Sequence, residues 1–147
     1  MTLFFDSSGI VKLYVPERQH AEVRDLAGPI IVAAVTRVEV ASAFWRKHRM
    51  GEIDAGDAAT LSGAFEADLD DADGRFAVIG LGPLIVRRAV ESVSRHALRA
   101  YDAVQLATAC VARDVVGAVD AFVVFDVALR QAALIEGFHV VPAVLDR

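Results

Sequence analysis

The chain has 147 residues, of which 55% are hydrophobic, with 20 acidic against 15 basic side chains and a formal net charge of −5. That length fits one domain, and that apolar content excludes a disordered chain. The acidic balance argues against a protein that coats nucleic acid through bulk positive charge.

In chain order, residues 2–5 (TLFF) predict a strand. Asp6, Ser7 and Ser8 follow at once and can cap a helix through Ile10 that Pro16 ends. A second strand is expected at 30–34 (IIVAA). Thr36 and Glu39 then have the S/T-x-x-E spacing of a capping box, opening a helix toward Met50 that Gly51 stops. Asp54 can cap a further helix through about Leu69. A strand at 76–79 (FAVI) precedes Gly82-Pro83, which opens a helix to about Arg95. A long helix, apolar on one face, is expected over 98–114, then a strand at 121–125 (AFVVF). A helix over 127–135 ends at Gly137, and a short strand at 139–141 (HVV) closes the pattern.

Most of these strands are apolar throughout, as strands buried on both faces are, and the stretches between them are long enough for crossover helices. The economical fold is therefore α/β, a three-layer sandwich with a central, mostly parallel sheet of about five strands flanked by helices. No repeat or low-complexity linker interrupts it, so residues 1–147 read as a single domain.

Cys110 is the only cysteine, which excludes an intrachain disulfide and a cysteine-based zinc site. Within the apolar stretch LATACVA it reads as a small buried thiol rather than a nucleophile. The N-terminus carries an acid where a signal peptide needs its apolar centre. Apolar runs such as FAVIGLGPLIV stop well short of the ~20 residues that span a bilayer. The expectation is a soluble, cytoplasmic protein with no membrane partner.

The acids are unevenly placed. Eight of them (Glu52, Asp54, Asp57, Glu66, Asp68, Asp70, Asp71, Asp73) fall in one stretch without a Lys or Arg, and the rest of the chain carries a net +3. Such a run reads first as a solvated helix face. Four others sit where chemistry is expected. Asp6 and Asp126 directly follow the strands LFF and FVVF, Glu39 lies shortly after the second strand, and Asp102 stands near the start of the long helix. In an open parallel sheet, ligands bind beyond the carboxyl ends of the strands. Asp6, Glu39 and Asp126 each have an alternative as a helix cap, whereas Asp102 between Leu98 and Leu106 needs a partner. Gathered carboxylates repel unless something positive sits between them, and oxygen-only ligation suits Mg2+ or Mn2+. Such a site serves phosphodiester hydrolysis.

At these residues the sequence resembles the PIN-domain family, and within it the VapC-like toxins of type II toxin–antitoxin systems. The matching segments are LFFDSSGIVKLYVPE, TRVEVASAFWR, LRAYDAVQLATA and FVVFDVALRQAA. The resemblance implies that Asp6, Glu39, Asp102 and Asp126 are the metal-binding and catalytic acids of a Mg2+- or Mn2+-dependent endoribonuclease. It also implies an RNA substrate, a cognate antitoxin and a homodimer. The alternative is a PIN-like module that binds RNA or protein without turnover. Two positions depart from the pattern: Val124 stands where many relatives carry Thr or Ser, and Gln105 where relatives often carry His. Neither change removes a carboxylate.

Other residues are assigned more modestly. Ser7 and Ser8 read as caps of the first helix, with orienting Asp6 as the alternative, Lys12 and Tyr14 as packing or pairing residues, and Asp120 as a loop acid. Arg46, Lys47, His48 and Arg49 form the densest basic cluster, and Arg87, Arg88, Arg95 and Arg99 are further candidates for phosphate contacts. Trp45 reads as a packing or interface residue.

Overall fold

The computed structural model describes residues 1–117 and 119–147. Among them, β1 (Leu3–Phe5), β2 (Ile30–Ala33), β3 (Phe76–Ile79), β4 (Ala121–Val123) and β5 (Val140–Val141) pair into one all-parallel sheet. The strand order is β3-β2-β1-β4-β5. Each strand lies where its apolar run predicted it, within two residues at either end.

β1 is the central strand, and its Leu3, Phe4 and Phe5 are fully buried. Alternation along the strands divides the core in two. Phe4, Ile31 and Phe122 face one layer, built from α5 (Pro83–His96), α6 (Ala100–Val111) and α7 (Val127–Ile135). Leu3, Phe5, Val32 and Val123 face the other, built from α1 (Ser7–Tyr14), α2 (His20–Arg24), α3 (Thr36–Arg49) and α4 (Ala55–Asp70). Burying each of these large side chains contributes about 1.5–3 kcal/mol against leaving it in water.

The expectation of strands buried on both faces fails at β3. It lies at the edge beside β2 alone, and Ala77 and Val78 are exposed. The capping box expected from Thr36 and Glu39 does not form either. Val35 takes the N-cap position of α3 without a side-chain hydrogen bond, and Glu39 turns its carboxylate toward α6 instead. Two pieces were missed: α2, whose five residues bury only Val23, and a π-helical turn at Ala112–Val116 that continues α6. A capping box does open α4, between Asp54 and Asp57, and Gly137 follows the end of α7 at φ +86°. The eight-acid stretch is the solvated surface it was read as, with only Glu66 partly covered. No helix among the described residues is long and apolar enough to cross a membrane.

Candidate active site

The C-terminal edge of the sheet opens into a cleft of about 500 Å3. Asp6, Glu39, Asp102 and Asp126 all line it, together with Ser7, Ser8, Ser42, Tyr101, Arg46 and Arg99. The fold thus brings the four predicted acids into one cleft from four separate elements. Asp6 ends β1 and is 3% exposed, Glu39 and Asp102 are half-buried in the first turns of α3 and α6, and Asp126 stands exposed as the N-cap of α7.

Local bonding fixes how each acid is held. Asp6 Oδ1 accepts from the Gly9 amide at 3.0 Å and from the Ser8 hydroxyl at 2.6 Å, so Asp6 itself caps α1. Of the two readings of Ser8 the structure takes the second: it orients Asp6 rather than capping α1, and the same hydroxyl accepts from the Phe125 amide at 2.9 Å, which ties the end of β1 to the segment leading to Asp126. Asp126 Oδ2 accepts from the Leu129 amide at 2.9 Å, so this acid is both a cap and a cleft residue. Glu39 Oε1 accepts from Gln105 Nε2 at 2.7 Å.

Burial and like charge raise three of the four carboxyls. Asp6 is pushed up to about 7, chiefly by burial, with Glu39 and Asp102 adding to the rise and Ser8 and Gly9 opposing it. Glu39 is raised by burial and by Asp102 and Asp126, against hydrogen bonds from Gln105 and Ser7. Asp102 is raised by burial and by Asp126, against Arg99. The cleft is short of positive charge, and a bound cation would relieve that.

The donor set suits a hard divalent cation in kind, because it is all carboxylate oxygen. Asp6, Asp102 and Asp126 each keep at least one oxygen free of hydrogen bonds among the described residues, and Gln105 engages only one oxygen of Glu39. As the side chains stand, no group of three or more His, Cys, Asp or Glu among the described residues is placed to hold one metal ion.

The basic candidates separate. Only Arg46 and Arg99 reach the cleft. Lys47 pairs with Glu17 and Glu52, Arg88 with Asp114, and Arg95 with Glu136. Lys12 bonds Glu17 and the Arg18 carbonyl above the Phe125 ring, and Tyr14 bonds Asp68, so both pair and pack. Asp120 accepts from the Thr2 amide at the opposite end of the strands, as a loop acid should. Cys110 is buried and its thiol is pushed up to about 11, which leaves it inert. Trp45 is 37% exposed and packs edge-on against His48. Ser42 and Tyr101 were not anticipated. Helical spacing from Glu39 (residues 39, 42, 43 and 46 on one face) could have found Ser42, and adjacency to Asp102 could have found Tyr101.

Fold and cleft together define an α/β protein with a carboxylate-lined site at the C-terminal ends of its parallel strands. A model of the PIN domain matches residues 3–133, and the chain belongs to that family. No curated protein matches it. Among solved structures, it is similar to the Mycobacterium tuberculosis toxin VapC20, described as cleaving the sarcin-ricin loop, at 17% identity and a TM-score of 0.63 over 92% of this chain and 95% of that one. It is similar to a chain of a toxin–antitoxin complex from Klebsiella pneumoniae at 18% identity and a TM-score of 0.59, covering 84% of this chain and 86% of that one. PAE2754 from Pyrobaculum aerophilum is similar at 20% identity and a TM-score of 0.63, over 96% and 84% of the two chains.

Proposed function

We propose that the chain is a Mg2+- or Mn2+-dependent endoribonuclease acting as the toxin of a toxin–antitoxin pair. One observation carries the reading: four carboxylates from four elements line one cleft, and three of them are raised by burial and by one another. In this reading Asp6, Asp102 and Asp126 hold the cation, and Glu39 either completes the set or takes the proton of the attacking water. When bound, the cation supplies activation of that water and neutralisation of charge on the phosphate. Arg46 and Arg99 at the rim hold the flanking phosphates, which positions RNA without reading its sequence.

The partners follow the same reasoning. An acid-lined cleft suits a basic antitoxin tail, and the likeness to a chain from a toxin–antitoxin complex supports such a partner. A homodimer is supported by α5, which exposes Val86, Val90 and Val93 at i, i+4 and i+7 on one stripe.

The rival reading is a PIN-like module that binds RNA or protein without turnover. It is favoured by the finding that no three acids among the described residues are placed around one point. Purified chain, freed of antitoxin, is incubated with RNA and Mg2+ or Mn2+, with and without EDTA. The expected result is cleavage that EDTA abolishes and that Asp6→Asn lowers by about 100-fold or more. Cleavage surviving EDTA overturns the metal mechanism, and Mn2+ binding without any cleavage selects the binding module.

A further inference from the structure

We infer that Gln105 is a positioning residue that holds Glu39 in the cleft and sets its geometry toward a divalent cation; this rests on the nuclease reading above. Gln105 lies one turn beyond Asp102 on α6 and is 1% exposed. Its Nε2 donates to Thr36 Oγ1 at 2.8 Å and to Glu39 Oε1 at 2.7 Å. Both acceptors belong to the first turn of α3, so one carboxamide clamps the start of α3 to the helix that carries Asp102.

The clamp has a cost that a purely structural residue would not retain. Gln105 Oε1 is buried and has no hydrogen-bond partner among the described residues. A buried orphan acceptor costs about 1–3 kcal/mol, which a leucine or methionine of similar volume would avoid. The carboxamide is explained by its donor rather than by its bulk. Its orientation is fixed by the same logic. Turned over, it would set its oxygen against a carboxylate oxygen of Glu39, two acceptors facing each other.

Gln105 also compensates for the capping box that does not form. Glu39 is not tied back to the backbone at the start of its own helix, and α3 has no side-chain cap. Its contact with Gln105 spans 66 residues of sequence and crosses from the layer of α3 to the layer of α6. Without that contact, a half-buried carboxylate would lose its donor at Oε1 and keep only the Ser7 hydroxyl beside it. Partners that orient ligating carboxylates in this way typically cost 10–100-fold in metal affinity or activity when removed.

The test compares wild type with Gln105→Leu and Gln105→His, using Mn2+ alone as the probe in calorimetry on the metal-free protein. RNA cleavage kinetics and thermal melting are measured on the same preparations. Gln105→Leu is expected to weaken Mn2+ binding about 10–100-fold and to lower kcat with KM for RNA within about twofold, while its melting stays within a few degrees of wild type, because losing the donor to Thr36 and Glu39 is offset by removing the orphan Oε1. Gln105→His retains an N–H donor and is expected to recover at least part of both losses. Unchanged Mn2+ affinity in Gln105→Leu overturns the inference. So does a loss that His fails to rescue and that tracks a lower melting temperature, since that marks a structural role. A wild type that neither binds Mn2+ nor cleaves RNA overturns the nuclease reading, and this inference with it, before any variant is compared.

Discussion

Asp6 concentrates the conflict of the cleft in one side chain. It is buried against the end of the central strand, yet the proposed chemistry needs it ionised. Its carboxyl is raised from 3.8 to about 7, so the folded chain keeps a proton that the unfolded chain gives up. The folded state therefore binds more protons between about pH 4 and pH 7, and metal-free stability falls as pH rises through that window. Glu39 and Asp102, also raised, act in the same direction. Glu17, Asp114 and Glu136 are lowered, and their opposing effect belongs to the range below their free values of 4.5, 3.8 and 4.5. Melting of the EDTA-treated protein is expected to drop between about pH 5 and pH 7, and Asp6→Asn to flatten that slope. At this scale the acids were legible because each stands just past a strand or at a helix start. The partners were not: the Ser8 hydroxyl meets the Phe125 amide 117 residues on, a spacing no local pattern encodes.

The first helix meets the sheet more closely than any side chain would allow. A Cβ on Gly9 would lie 2.9 Å from the Val123 carbonyl oxygen and 3.1 Å from the Phe5 ring. Gly9→Ala should push α1 off β4 and cost about 2 kcal/mol in chemical denaturation, disturbing the amide that holds Asp6. Gly63→Ala, in open space on α4, is the matched control and should stabilise by about 0.5–1 kcal/mol. Helix limits were legible wherever a stop residue or a cap does the work, as at Pro16, Asp54, Gly82-Pro83 and Gly137. The start of α3 was misread because Thr36 and Glu39 have equally good partners in a distant helix, and tertiary contact won over the local box. Five-residue α2 left no periodic trace to read.

For the molecule as a whole, strand positions and the parallel fold were legible, while the strand order was not, because order is decided by pairing between distant segments. That is why β3 was expected to be buried and proved to be an edge. The exposed valine stripe of α5 gives the proposed dimer a direct test. Val90 is 67% exposed, so Val90→Glu should leave the fold intact and shift the species seen by light scattering from dimer to monomer. A wild type that is already monomeric at high concentration would overturn the dimer.

The place of β1 also governs when the protein becomes competent. Leu3 pairs with Ile30 on one side and with Ala121 on the other, so the middle of the sheet cannot close until the fourth strand has been made. Pairings of such long sequence separation form slowly during folding. Until β4 docks, Ser8 has no Phe125 amide to bond, and Asp126 has no place in the cleft. A chain emerging in N-to-C order thus carries Asp6 early and completes the four-acid cleft only once β4 and the start of α7 have been made.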